Sequence, residues 1–336
     1  MVGAVVVRDG GIVGEGWHAR YGGPHAEVMA LAAAAERARG ATVYVTLEPC
    51  NHHGKTPPCS DALLAAGVSR VVAAVRDPSR VAAGGAARLR AAGVDVTLGV
   101  GADAARELNA PFFHAQASDR PWLTLKLALS IDGALADHTH RPGWLTGPRA
   151  RREVHRLRAG SDAVAVGIGT ALADDPALTV RDVPPPRSPP LRIVFDRAAR
   201  LPLHSQLVRT AYEVPVVVVC SEPVPDAARV LERAGVALLP AASLDDALRI
   251  LRRDFGVRSL FVEGGAGIAG ALWAADRVDR LITFQAPVVL GQGALPAFAS
   301  APSVRAADAP RLPVLARRAL GGDLMTTFAV HALEDR

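Results

Sequence analysis

Residues 2–7 and 12–17 are hydrophobic, β-rich runs joined by Asp9-Gly10-Gly11, which predicts an antiparallel hairpin. An Ala-rich stretch opened by Pro24 and closed by Gly40 predicts a helix over 24–39. Short β-branched runs predict strands at 42–46, 71–75 and 94–98. Ala-rich runs predict helices from about residue 60, over 80–92 and near 103–113. Residues 48–58, dense in Pro, Gly and His, form a loop. Strands alternating with helices in this order imply a mainly parallel, layered α/β sheet.

The polar segment 114–121 interrupts the pattern and places a domain boundary there, giving domains 1–117 and 118–336. A second series opens with the apolar run 122–131. Its helices are predicted at 148–159, 225–234, 244–255 and 267–275. Its strands are predicted at 163–166, 191–195, 214–219, 259–262 and 280–285. Residues 183–190 hold five prolines and read as a surface loop. The two halves share no sequence repeat.

Composition narrows the function classes. A chain of 336 residues that is 50% apolar can bury two cores. No apolar run approaches a bilayer span and no signal peptide opens the chain, so a soluble cytoplasmic protein is expected. The net charge of +5 comes without a basic run interleaved with aromatics. That favours small phosphorylated ligands over nucleic acid, and no membrane partner is expected. Three cysteines make no disulfide framework, and Cys220, at the end of an apolar run, reads as a buried strand residue. Of 38 basic residues only Lys55 and Lys126 are lysines. In a chain that otherwise uses Arg, these two mark places where a compact ammonium is needed.

The strongest chemical signal lies in the first half. Pro24-His25-Ala26-Glu27 opens one helix, and Glu48-Pro49-Cys50 and Cys59 flank the loop before the next. One imidazole and two thiolates supply three zinc ligands and leave a fourth position for water. Zinc acidifies that water enough to attack an amidine-like ring carbon. Glu27, two residues after His25 and not itself a ligand, is placed to carry protons from the water to the departing ammonia. This His-x-Glu with Pro-Cys pattern is the zinc deaminase signature, although eight residues separate Cys50 from Cys59 here in place of two.

The run from Glu48 to Cys59, Glu-Pro-Cys-Asn-His-His-Gly-Lys-Thr-Pro-Pro-Cys, resembles the bifunctional riboflavin biosynthesis deaminase/reductase family. So do 2–7 (Val-Gly-Ala-Val-Val-Val), 24–28 (Pro-His-Ala-Glu-Val), 125–133, 144–147, 166–170, 172–181 and 262–265. The likeness covers nearly the whole chain. It implies a cytidine-deaminase-like α/β/α domain followed by a dihydrofolate-reductase-like α/β domain. It also implies two reactions: zinc-dependent deamination of 2,5-diamino-6-(5-phosphoribosylamino)pyrimidin-4-one, then NADPH-dependent reduction of the ribosyl chain to ribityl. His52 and Lys55 would face the ribose phosphate. A homo-oligomer is expected.

On its own chemistry the second half offers two phosphate-cradling turns. They are Gly167-Ile168-Gly169-Thr170 after a strand, and Glu263-Gly264-Gly265-Ala266-Gly267 between a strand and a helix. Residues 265–270 spell G-x-G-x-x-G, but no acidic residue follows at 286–293, so a Rossmann fingerprint is rejected. The resemblance implies that Ala128, Trp144, Thr170, Asp174 and the loop Gly265, Ala266, Gly267, Ile268, Ala269, Gly270 and Ala271 contact NADPH. It implies that Arg158, Leu178, Arg181 and Glu263 contact substrate. Lys126 lies within an apolar strand, where a charge needs a partner, and it is read as ligand-facing.

Two departures from the family stand out. The family has an N-terminal helix and an Asn-Pro segment ahead of Val-Gly-Ala-Val, whereas Met1 stands directly before Val2. A mis-started chain is the expectation, with a chain active only as a reductase as the alternative. An in-frame stop codon immediately upstream of Met1 would refute the mis-start. The family also places a serine two residues before Trp144, where this chain has Pro142. The competing readings are a zinc deaminase acting on nucleic-acid bases and a non-catalytic scaffold.

Overall fold

The structure is a computed structural model and describes residues 1–140, 143–298 and 300–331, so Pro142 lies outside the described residues. The chain divides into two compact units, the first ending at Ala117 and the second beginning at Ser118.

The first unit contains β1 (Gly3–Arg8), β2 (Gly11–Trp17), α1 (Ala26–Ala34), β3 (Thr42–Val45), α2 (Cys59–Ala66), β4 (Arg70–Ala73), α3 (Gly85–Ala91), β5 (Asp95–Leu98), α4 (Ala102–Leu108) and α5 (Ala110–Ala117). The sheet order is β2-β1-β3-β4-β5. The sheet, expected to be mainly parallel beyond its hairpin, is mixed: β2 pairs antiparallel with β1 as the hairpin signal predicts, β3 also runs antiparallel to β1, and β3-β4 and β4-β5 are parallel. The hairpin forces the first reversal, because a two-residue turn can join only antiparallel strands. The helix expected over 80–92 begins at Gly85, since Gly84 takes φ +102°, outside helical space. The single helix expected near 103–113 is two short ones.

Alternate residues of the strands face one core: Ala4, Val6, Val43, Val45, Val71 and Ala73 pack with Ala26, Ala30 and Ala34 of α1 and with Leu63 and Leu89. Helix α1 lies unusually close to β2. A Cβ on Gly14 would sit 2.3 Å from the Ala30 carbonyl oxygen, and one on Gly16 would sit 2.3 Å from the Ala30 nitrogen. Glycine facing alanine therefore seats the helix that starts at His25 directly on the sheet.

The second unit contains β6 (Trp122–Leu129), β7 (Ala134–Ala136), α6 (Pro148–Ala159), β8 (Ala163–Gly167), α7 (Ile168–Asp174), β9 (Leu191–Phe195), α8 (Gln206–Arg209), β10 (Val216–Cys220), α9 (Pro225–Arg233), β11 (Ala237–Pro240), α10 (Leu244–Arg253), β12 (Ser259–Val262), α11 (Ala266–Ala274), β13 (Arg280–Gln285), β14 (Leu295–Pro296), β15 (Val314–Leu320) and β16 (Asp323–Ala329). The nine-stranded sheet runs β11-β10-β9-β8-β12-β6-β13-β16-β15. It is parallel from β11 through β13 and antiparallel across β13-β16-β15. Each face carries its own core. Leu123, Leu125, Leu127 and Val262 meet Leu248 and Leu272 of α10 and α11 on one face. Val164, Val194, Val218 and Phe261 meet Val154 of α6 and Leu231 of α9 on the other. Burial on both faces explains the continuous apolar runs in these strands. The sequence pattern did not foretell β15 and β16. Most of β15 is exposed, with Arg317 and Arg318 at its centre, so it lacks the alternation of a half-buried strand. Among the described residues no helix is long and apolar enough to cross a membrane.

Candidate active sites

Two helix starts and one loop build the first site. His25 is the N-cap of α1, Cys59 is the first residue of α2, and Cys50 lies in the loop that joins β3 to α2. The imidazole and the two sulfurs offer ligand atoms that all lie within 4.8 Å of one another. His25 Nδ1 is 3.2 Å from Cys59 Sγ and 3.5 Å from Cys50 Sγ, so Nδ1 is the nitrogen that faces the sulfurs. The other ring nitrogen, Nε2, meets the Thr56 hydroxyl at 3.4 Å. The Cys59 backbone N–H donates to Cys50 Sγ at 3.3 Å, so the start of α2 presents a donor to a sulfur.

The electrostatics match a cation-binding cluster. The thiol of Cys59 donates to Cys50, which with help from His25 holds Cys50 down at about 4 and pushes Cys59 up. The hydrogen bond to Cys50 raises His25. One proton shared between two sulfurs is what a divalent ion displaces on binding. The donor set of one nitrogen and two sulfurs fits zinc. Glu27 lies in the first turn of α1 and is only 3% exposed. Burial lifts its carboxyl above the ordinary range, and hydrogen bonds from its own backbone and from Cys59 offset this in part. A carboxyl tuned upward in this way is suited to exchanging protons near neutral pH.

Around this cluster, His52 is half-buried and its Nδ1 has no hydrogen-bond partner, while Lys55 is exposed with its ammonium 4.2 Å from the centre of the Tyr21 ring. Glu48 escaped the sequence reading as a functional residue. Its buried carboxylate accepts from the backbone N–H groups of Asp77, Gly84 and Ala86 at 3.2, 3.3 and 3.0 Å, tying the loop before α3 to the Pro-Cys corner. Its position directly before Pro49-Cys50 was the available signal. Its partners, some thirty residues away, gave none.

The second unit assembles its candidate residues at the carboxyl ends of neighbouring parallel strands, where open α/β sheets place ligands. Lys126 and Ala128 lie on β6, Glu263 directly follows β12, and Thr170 lies on α7 directly after β8. Arg158 of α6 forms a two-pronged ion pair with Glu263 through Nε and through Nη2, the latter at 2.9 Å. Its Nη1 donates to the Thr179 carbonyl at 2.7 Å. Burial pushes the Glu263 carboxyl up, but the charge and hydrogen bonds of Arg158, with Lys126, outweigh it and hold Glu263 below its ordinary value. Burial lowers Lys126, and the carboxylates of Glu263 and Asp174 act against that. Lys126 therefore has the charge partners that an ammonium in an apolar strand requires.

The glycine turn is sterically enforced. Gly265 caps α11 at φ 109°, and a Cβ there would sit 2.4 Å from Thr170 Oγ1, whose hydroxyl donates to the Gly264 carbonyl at 3.3 Å. Ala266, Gly267, Ile268, Ala269, Gly270 and Ala271 form the first turns of α11 beyond it. Gly270 leaves room for Ser300, whose Oγ would lie 2.0 Å from a Cβ. Asp174 closes α7 and is exposed. Trp144 is exposed and carries the Arg151 guanidinium 4.9 Å from its ring centre. Leu178 is sealed in the core of the second unit. Arg181 is exposed, and its backbone N–H donates to His155 Nδ1 at 3.3 Å.

Comparison with known proteins agrees with both halves. Residues 1–75 match the cytidine and deoxycytidylate deaminase zinc-binding region, and residues 121–325 match the RibD C-terminal domain. The riboflavin biosynthesis protein RibD of Escherichia coli is 42% identical over 339 residues, covering 96% of this chain and 91% of its own. The structure of Acinetobacter baumannii RibD superposes with a TM-score of 0.84 at 37% identity, covering 98% of this chain and 91% of that one. A diaminohydroxyphosphoribosylaminopyrimidine deaminase/5-amino-6-(5-phosphoribosylamino)uracil reductase from Thermotoga maritima gives the same TM-score, 0.84, and the same coverage at 33% identity. These matches favour the two-activity reading over a nucleic-acid base deaminase or a scaffold. Zinc and a nicotinamide cofactor follow from the two domains. With a deaminase unit and a reductase unit joined in one chain, the protein belongs to the RibD family of bifunctional deaminase/reductases of riboflavin biosynthesis.

Proposed function

We propose that the first unit deaminates 2,5-diamino-6-(5-phosphoribosylamino)pyrimidin-4-one and that the second reduces the ribosyl chain of the resulting uracil to ribityl with NADPH. The observation that carries the first reaction is the convergence of His25, Cys50 and Cys59 within 4.8 Å beside the buried Glu27. Those three side chains would hold zinc, and Glu27 is the proton carrier. Zinc bound there supplies a Lewis acid that makes water nucleophilic at neutral pH. Glu27 accepts the proton that water loses and delivers it to the leaving amine, so water and the diamino ring become the ring carbonyl and ammonia. His52 and Lys55 receive the ribose phosphate, which suits a point-charge ammonium.

In the second unit Arg158, Leu178, Arg181, Glu263 and Lys126 bind the pyrimidine. Arg181 supplies a planar fork to the phosphate. Ala128, Trp144, Thr170, Asp174 and the Gly265–Ala271 turn bind NADPH, whose pyrophosphate suits backbone N–H groups at the start of α11. The choice of NADPH over NADH rests on the family resemblance. The protein works as a homo-oligomer, a reading supported by β15, an edge strand whose outer row of backbone groups is open to pairing. Light scattering would reveal it, and a monomer at micromolar concentration would refute it.

One assay tests the two reactions together: the purified chain with the diamino substrate and either NADPH or NADH, followed for ammonia and for nucleotide oxidation. Glu27→Gln is expected to retain zinc while losing about 10²–10⁴-fold in ammonia release. Full activity in that variant would overturn the role of Glu27.

A further inference from the structure

Between α7 and the proline-rich loop, residues 175–182 run without helix or strand. Three non-glycine residues in this stretch, Asp175, Leu178 and Asp182, take φ of 40°, 51° and 60°, a left-handed conformation that L side chains rarely adopt. Such a course persists only where its surroundings over-determine it. Here side chains do so at every second residue. Gln206 bonds Asp175, with its backbone N–H on Oδ1 at 2.7 Å. Arg192 Nη1 donates to the Ala177 carbonyl at 3.2 Å, and Arg158 Nη1 donates to the Thr179 carbonyl at 2.7 Å. Arg181 donates its backbone N–H to His155 Nδ1.

The first three anchors involve an amide and two guanidiniums, whose donors do not titrate near neutral pH. The fourth does. We infer that His155 is a positioning residue for pyrimidine binding in the reductase unit, its neutral Nδ1 fixing the backbone of Arg181 and thereby the aim of that guanidinium. This rests on the reading that Arg181 grips the substrate.

His155 is one turn from Arg158 on α6 and is 5% exposed. It is faced by Arg158 from its own helix, by Arg181 and Asp182 from the segment, and by Glu263 from the end of β12. Burial, followed by the two guanidiniums, holds it below the ordinary value of 6.5, so the ring is neutral at physiological pH. In the Nε2–H tautomer, Nδ1 keeps the lone pair that accepts from Arg181. Protonation converts Nδ1 to a donor facing another donor, and the anchor is lost.

Steady-state kinetics of the reductase reaction on the full chain test this, with the uracil substrate and the nucleotide each varied at saturation of the other. His155→Leu is expected to raise the pyrimidine KM about ten-fold, the effect of losing one well-made hydrogen bond, with kcat and the nucleotide KM little changed. His155→Asn, whose Oδ1 replaces Nδ1 as acceptor, recovers most of the loss. Below pH 6.5 the wild-type pyrimidine KM rises more steeply than that of His155→Asn, and the titration of the substrate's own phosphate is common to both. An unchanged pyrimidine KM in His155→Leu, or an equal loss on both substrates, overturns the inference. Should His155→Leu fail to fold, the pH comparison between wild type and His155→Asn decides, and parallel profiles overturn it. Arg181→Gln separates the two levels. If it raises the pyrimidine KM while His155→Leu does not, His155 alone loses its role. If it leaves KM unchanged, the reading of Arg181 fails and the inference falls with it.

Discussion

The two candidate sites solve the same problem, holding charged groups out of water, in opposite ways. In the first unit, metal-ligating atoms converge: two sulfurs and an imidazole nitrogen, with Glu27 buried nearby. The Cys59 thiol donates to Cys50, which holds Cys50 down and pushes Cys59 up. In the second unit the charges are already balanced within the protein. Arg158 and Glu263 satisfy one another through two parallel hydrogen bonds, and Lys126 is set among carboxylates. A cluster of like donors calls for a metal, whereas a self-paired cluster is a preformed surface for a polar substrate.

The comparison is broken most severely by Cys59→Ser. With one thiolate gone, zinc binding and ammonia release are expected to be abolished, while nucleotide oxidation with the uracil substrate stays at the wild-type rate. Metal content and the two assays measured on one preparation check this. Equal loss of both activities would show that the sites are not separable as described.

A smaller effect, this time on stability, is expected from Glu263→Gln. It leaves Arg158 buried without a counter-charge, a situation that typically costs about 3–5 kcal/mol. Chemical denaturation of the full chain should show the loss in a transition belonging to the reductase unit, together with a loss of reductase activity. An unchanged transition would mean that Arg158 finds another partner. The finest comparison is in pH. Glu263 is held below its unfolded value near 4.5, so its pairing stabilises the fold fully above that pH and fades as pH falls through the lower, folded value. Wild type and Glu263→Gln should therefore differ at neutral pH and converge in acid. A constant gap down to low pH would contradict the pairing.

How much was legible in advance differed between the halves for a physical reason. His25, Glu27, Cys50 and Cys59 fall within 35 consecutive residues, and each sits at a helix start or in the loop leading to one. Local chain geometry nearly suffices to bring them together. The glycine turn at 264–267 was legible for the same reason, because it is a strand-to-helix corner. Arg158 and Glu263 are 105 positions apart, and their pairing depends on how α6 packs on the sheet. Composition gave one long-range clue, the two surviving lysines. Lys126 is set among charged groups, and Lys55 is exposed with its ammonium over a tyrosine ring.

The sequence by itself determined most of the element order, the two-unit organisation of its patterning and the candidate metal cluster of His25, Cys50 and Cys59, because hydrophobic period and short-range spacing are local properties of a chain. Tertiary structure alone decided the antiparallel pairing of β3 with β1, the placing of β16 beside β13, the three backbone bonds gathered by Glu48 and the anchoring of Arg181 by His155. Each of these depends on a backbone hydrogen bond made with a distant segment. No residue pattern records such a bond, because every non-proline backbone offers the same donor and acceptor and only folding selects which ones meet.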